Sequence, residues 1–212
     1  MCINTIKLIR EDGKKLYQSL NKELYLNQAG LKNKTTLTQI LESFRDLLEP
    51  EIFQSLVDAS PNTGEKSNGI KLIRTFLAET ILLSKSPQIE DAILDIEASS
   101  IFTVGKSKIS FRKSKSALLT KSKKEETEKI ENKRESVLAK LNQLYLRQYA
   151  YLQKDSHDLG YTSYLNLYEL MENHNSADLV ENAKELIRDT EYISRDLLSW
   201  FMSKRMDIKL ND

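Results

Sequence analysis

Apolar positions recur at intervals of three and four residues through most of this chain, and that period predicts helices. Ile6, Ile9, Leu16, Leu20 and Leu24 form the first stripe, with Gly13 a weak point that leaves one helix or two, and Gly30 the stop. Thr36 is placed to cap the next helix. Its stripe of Leu37, Ile40, Leu41, Phe44, Leu47 and Leu48 runs to Pro50, after which Ile52, Phe53, Leu56 and Val57 predict a separate short helix. Pro61, Gly64 and Gly69 stand among polar residues, so 61–69 reads as a hinge loop between N-terminal helices over 1–60 and a larger helical domain over 70–212.

Residues 70–84 are apolar around most of a helical circumference and belong at the core. Pro87 opens the following helix, where Ile89, Ala92, Ile93 and Ile96 make a narrow stripe opposite Glu90, Asp91, Asp95 and Glu97. The period then changes to short β-branched and aromatic runs. Ile101–Val104 and Lys108–Phe111 flank Gly105-Lys106-Ser107, which predicts a hairpin near 101–112. The longest helical pattern follows, from about Glu125 to Asp158, with Ile130, Val137, Leu138, Leu141, Leu144, Tyr145 and Leu152 on one side and Gly160 as a left-handed cap. Thr162 or Ser163 caps a shorter helix and Ser176 caps the last, in which Leu179, Ala183, Leu186, Thr190, Ile193 and Leu197 recur every three or four residues. There is no internal repeat, and no helix sustains heptads with charged flanks over its whole length.

Composition agrees with an all-α, multi-helix array carrying one hairpin: among 212 residues there are only six Gly and three Pro, and 40% are hydrophobic. Thirty-two Lys and Arg against 31 Asp and Glu give a net charge of +1, so no long-range field commits the molecule to nucleic acid or an anionic membrane. Cys2 is the single cysteine, which excludes an intramolecular disulfide and a thiolate zinc cluster. Met1–Ile9 lacks the apolar core of a secretion signal, and no run reaches the eighteen apolar residues of a membrane span, so a cytoplasmic location is expected.

Candidate chemistry is sparse. His157 and His174 are the two histidines, and neither opens a His-Glu-x-x-His string; both read as surface or turn residues. Cys2 lies at the terminus, no Gly-x-Ser-x-Gly elbow is present, and Gly105-Lys106-Ser107 lacks the upstream glycines of a phosphate loop. Paired carboxylates such as Glu90 with Asp91 and Glu125 with Glu126 fall on charged helix faces and read as solvated. From Lys106 to Lys124 eight Lys or Arg occur without an acidic residue, a basic loop in which Lys106, Lys108, Arg112, Lys113 and Lys115 are candidate anion-binding groups. The acidic Glu125, Glu126, Glu128 and Glu131 follow at once, and Phe111 alone could stack on a base, which disfavours nucleic acid. Tyr145, Tyr149, Tyr151, Tyr161, Tyr164 and Tyr168 gather around the long helix and its turn, where an apolar ring with a hydroxyl can line a groove or bridge core and water.

The run Leu141–Tyr168, LNQLYLRQYAYLQKDSHDLGYTSYLNLY, resembles a segment of the oligoendopeptidases and related thimet-type zinc peptidases, in which a long helix ends in a Leu-Gly-Tyr-x-Ser-Tyr-like turn. The order of elements from 70 onward, and the closing Asp189-Thr190-Glu191-Tyr192 helix, are similar to the N-terminal helical half of that family. The resemblance implies the wall of a peptide channel. The family's zinc helix would lie beyond Asp212, so no catalytic residue, metal ligand or cofactor is carried over to this chain. A catalytic partner chain or a peptide is then expected, or a homo-oligomer, with Tyr161, Tyr164, Tyr168, Trp200 and Phe201 as candidate groove or interface residues and Trp200, Phe201 and Met202 as contacts for a zinc-carrying chain. The alternative is a helical protein–protein interaction protein that docks an acidic partner on the basic loop.

Overall fold

The computed structural model describes residues 3–58, 65–105, 107–120, 124–172 and 174–206. Cys2, Pro61, Gly64, Lys106 and the lysines 121 and 123 lie outside them. The elements are α1 (Ile3–Gln28), α2 (Leu37–Ser43), a 3₁₀ turn (Arg45–Leu48), α3 (Pro50–Asp58), α4 (Glu65–Lys85), α5 (Pro87–Ser99), β1 (Ile101–Val104), β2 (Ser107–Ser110), α6 (Phe111–Thr120), α7 (Lys124–Asp158), α8 (Tyr164–Glu172) and α9 (Ser176–Phe201), followed by a π-helical turn (Met202–Met206). The fold is all-α with one small antiparallel hairpin. The chain divides into two compact units, 1–167 and 168–212. Residues 65–69, expected as hinge, are the first turns of α4.

In the first unit α1 runs unbroken through Gly13, where a Cβ would meet the Phe76 ring of α4 at an ordinary contact distance of 3.5 Å, so the position does not require glycine. Gly30, with φ 73°, ends the helix, and the Leu31 amide reaches back to the Leu26 carbonyl at 2.9 Å in the six-to-one bond of a Schellman turn. The apolar stripes bury Leu16 and Leu20 from α1, Leu37 and Leu41 from α2, Phe53 and Leu56 from α3, and Leu77, Ile81 and Leu82 from α4. Each such side chain contributes roughly 1.5–3 kcal/mol of burial. A distinct cluster joins Ile89 and Ile93 of α5, Phe102 and Val104 of β1, Phe111 of α6, and Ile130, Val137 and Leu141 of α7.

The hairpin pairs Phe102 with Ile109 and Val104 with Ser107. Alternation on β1 sends Phe102 and Val104 inward and leaves Ile101 and Thr103 exposed. Gly105, at φ 60°, opens the turn, and the Phe111 amide closes the base on the Ser100 carbonyl at 2.8 Å. The basic loop expected from 106 to 124 is in large part ordered secondary structure: β2 covers 107–110 and α6 covers 111–120. Phe111, Ser114, Ala117 and Leu118 explain why, since their spacing gives α6 one inward face. Ser114 is wholly buried there, donating to the Phe111 carbonyl while accepting from Arg134 of α7 at 2.9 Å. The Arg134 guanidinium stands 5.1 Å from the centre of the Phe111 ring, a cation–π contact.

The connection between α1 and α2 is held from three helices. Asn27, fully buried on α1, donates through Nδ2 to the carbonyls of Lys32 and Asn33 at 3.1 and 2.7 Å. Arg112 of α6 donates to the Asn27 carbonyl and to its Oδ1, both at 2.6 Å, and lies 3.6 Å from Glu97 of α5. Glu23 accepts from the Thr36 amide at 2.7 Å, from the Thr36 hydroxyl at 2.9 Å and from Lys32. Thr36, expected to cap α2 with its own hydroxyl, makes no such bond. The cap comes instead from α5: Asp91 accepts from the amides of Leu37 and Thr38, both at 3.1 Å, and from the hydroxyls of Thr35 and Thr38. The carboxylate thus satisfies the free amides at the positive end of the helix, a role the sequence pattern gave to Thr36 while leaving Asp91 on a solvated face.

Other boundaries also moved. The stripe from Leu37 breaks at Phe44, where α2 gives way to the 3₁₀ turn that carries the buried Leu47 and Leu48. In the second unit the last helix is capped by Asn175, whose Oδ1 accepts from the Ala177 amide at 2.9 Å, rather than by Ser176. Ser176 offers its amide to Glu169 of α8 at 2.9 Å.

Burial opposes ionisation of Asp91, but the bonds from Thr35, Thr38 and Leu37 outweigh it and hold the carboxyl below its ordinary range. Glu23 is likewise lowered, with burial overcome by Lys32 and Thr36. A carboxyl with a depressed folded-state pKa stabilises above its unfolded value, about 4, and loses that contribution as pH falls through the folded value. Asp91→Ala is therefore expected to cost roughly 2 kcal/mol at neutral pH. The penalty should shrink below about pH 4 as the wild-type carboxyl is itself protonated; urea melts at pH 7 and pH 3 check both.

Candidate interaction surface

The string Leu159-Gly160-Tyr161-Thr162-Ser163-Tyr164 forms the turn between α7 and α8. Gly160, at φ 86°, takes the left-handed position at the end of α7, and the Tyr161 amide bonds the Ser156 carbonyl at 3.1 Å. Leu159 is buried, and Ser163 caps α8 by accepting from the Asn166 amide at 3.2 Å. The turn sends its two tyrosines apart. Tyr161 packs on Phe53 of α3 with ring centres 6.3 Å apart; burial pushes its hydroxyl pKa up, opposed by Arg74. Tyr164 stands edge-on to Tyr149 of α7 at 6.4 Å.

Tyr149 belongs to a strip on the outer face of α7. Asn142, Tyr145, Leu146, Gln148, Tyr149 and Leu152 line a shallow hollow of about 560 Å³ there. Leu146 is 71% exposed and Tyr149 55% exposed, a large apolar area left in water by a helix whose opposite side is core. Polar bonds fix the strip's edges. The Tyr145 hydroxyl faces Glu97 of α5 at 3.4 Å, Gln148 donates to Glu90 at 2.7 Å, and Gln153 donates to the Tyr149 hydroxyl at 2.8 Å. Burial first, and then the charges of Glu97 and Glu90, push the Tyr145 hydroxyl pKa up, so it remains a donor at neutral pH.

The other expected site residues fall elsewhere. Tyr168 is exposed and meets the His174 ring edge-on at 5.7 Å within the second unit. Trp200 and Phe201, 57% and 46% exposed, lie at the end of α9. Among the candidate anion-binding groups, Arg112 is committed to Asn27 and Glu97. Lys108, Lys113 and Lys115 are exposed on β2 and α6, and Lys106 lies outside the described residues. Among those residues no three His, Cys, Asp or Glu side chains gather as metal ligands, and no helix is long and apolar enough to cross a membrane. The residue that sequence reasoning missed is Leu146. Its signal was present: it lies off the Ile130, Val137, Leu141 stripe yet is apolar, next to Tyr145 and three residues before Tyr149.

No family model, curated protein or solved structure matches the chain.

Just before the turn, Asp155 is 7% exposed and its Oδ2 accepts no hydrogen bond among the described residues. Burial, then Asp158, push its pKa up against Lys85 and Lys154, and the negative end of α7 adds to the cost of a charge there. A carboxyl with a raised folded-state pKa favours folding when protonated, and that contribution is lost as pH rises through the folded value. Asp155→Asn should therefore stabilise at pH 7 by about 1 kcal/mol, a Tm increase of ~2–4 °C. The gain should vanish in a melt below about pH 4, where the wild-type group is neutral in both states.

Proposed function

We propose that this chain is a cytoplasmic polypeptide-binding protein, and that the strip Tyr145–Leu146–Tyr149 on α7, bordered by Tyr164, is its contact surface. The observation that carries the reading is the contiguity of exposed tyrosine and leucine on a helix anchored by its other face. Tyrosine rings give large contact area with few rotatable bonds, and their hydroxyls accept or donate at an interface edge. Leu146 supplies an apolar anchor between them, and Glu90 and Glu97 at the border favour a ligand with Lys or Arg beside its apolar residues.

A narrower version, in which the strip is the wall of an oligopeptidase-like channel completed by a second, zinc-carrying polypeptide, rests on the Leu159–Tyr164 turn. It predicts zinc-dependent peptide hydrolysis by the native complex and none by this chain alone. The broader reading is tested with a library of labelled dodecapeptides by fluorescence anisotropy. Peptides pairing an aromatic or leucine with a basic residue should bind, and Leu146→Asp or Tyr149→Ser should weaken them at least tenfold, about 1.4 kcal/mol, with the circular dichroism spectrum unchanged. Equal binding by the variants would remove the strip as the contact surface.

A further inference from the structure

Helices α1 and α4 leave a groove between them, separate from the strip on α7. Ile9, Phe76 and Leu77 form its floor, and Arg10, Lys14 and Tyr17 of α1 face Leu72 of α4 across its rim. Tyr17 stands edge-on to Phe76 with ring centres 6.0 Å apart, yet remains 57% exposed, and Leu72 is 72% exposed. Apolar side chains therefore meet water on both walls. The volume, about 270 Å³, falls under the ~300–1,000 Å³ of enclosed small-molecule sites, and the groove is open, so a lone small ligand would stay wetted along one side.

Charge at the rim comes from α1 alone. Lys7, Arg10 and Lys14 follow one another at steps of three and four, which sets them on one side of the helix with roughly 5–6 Å between neighbours. All three are exposed, and among the described residues none of them is in an ion pair; Lys15, on another side of the same helix, is held by Asp12 at 2.8 Å. The carboxylates of Glu11 on α1 and Glu79 on α4 lie outside the lining. A row of unpaired cations beside an apolar trough complements a helix with an apolar face and carboxylates along one edge at the same three- and four-residue steps. A fatty acid would fill the trough but bring a single carboxylate to three cations.

We propose that the groove between α1 and α4 docks an acidic amphipathic helix of a protein partner, with its apolar side chains between Tyr17 and Leu72 and its carboxylates on Lys7, Arg10 and Lys14. The charge preference is opposite to that of the strip on α7, so neither reading depends on the other. The full chain is titrated by fluorescence anisotropy with a labelled helical peptide that has leucines on one face and glutamates along its edge, and with its twin carrying lysine for every glutamate. The glutamate peptide should bind roughly tenfold more tightly or better. Arg10→Glu with Lys14→Glu should weaken it by about tenfold or more, and so should Leu72→Asp. These positions are exposed, so the circular dichroism spectrum and Tm should hold. Lys15→Glu with Lys22→Glu changes the net charge by the same amount on the side of α1 away from the groove, and should leave binding within about twofold. An equal loss in that control assigns the effect to net charge and overturns the proposal. So does equal affinity for the two peptides, or a wild-type chain that fails to bind the glutamate peptide, whether or not it binds laurate.

Discussion

The short chain between α1 and α2 turns on carboxylates that are not its own. A helix as brief as α2, seven residues from Leu37 to Ser43, cannot stand on its intrinsic propensity. Its first amides need an acceptor, and Asp91 supplies both oxygens from α5. Once that bond pattern forms, the position of α5 against α2 is set. The hairpin that follows α5 then returns as α6, which delivers Arg112 onto Asn27 of α1. Polar groups at Glu23, Asn27, Asp91 and Arg112 thus specify which helices meet, while the leucines and isoleucines around them supply most of the free energy.

Such an arrangement limits what a single sequence discloses. Elements with a strong local signal were legible: the period of three and four found the helices other than α6, β-branched alternation found the hairpin of β1 and β2, and Gly30, Gly105 and Gly160 were where left-handed backbone was needed. The failures share a physical origin in partners distant along the chain. Asp91 read as a solvated carboxylate because its acceptor role depends on residues more than fifty positions away. Arg112 read as free for an anion because Asn27 is 85 positions distant. The stretch after Gly105 read as a loop because its lysines mask an inward face built on Phe111 and Ser114, and a buried serine carries no hydrophobic signal.

The candidate surface was half visible. Clustering of tyrosines around α7 could be counted along the chain, but which ones turn inward could not. Tyr161 settles against Phe53, whereas Tyr149 and Tyr145 stay at the rim with their hydroxyls tied. Two surfaces of unlike character result. The strip on α7 is short, aromatic and bordered by acid; the apolar stripe on α9 is longer and mainly aliphatic.

The Arg112 bridge has one more consequence. Its guanidinium grips a backbone carbonyl and the side-chain oxygen of the same asparagine, and that asparagine's amide nitrogen holds the carbonyls of Lys32 and Asn33. Opening the loop frees buried donors on Asn27 and acceptors on the loop at once, and releasing α6 removes the cation from Asn27 and Glu97 together. The first helix and α6, though far apart in sequence, are therefore coupled through one asparagine, and their opening should be cooperative.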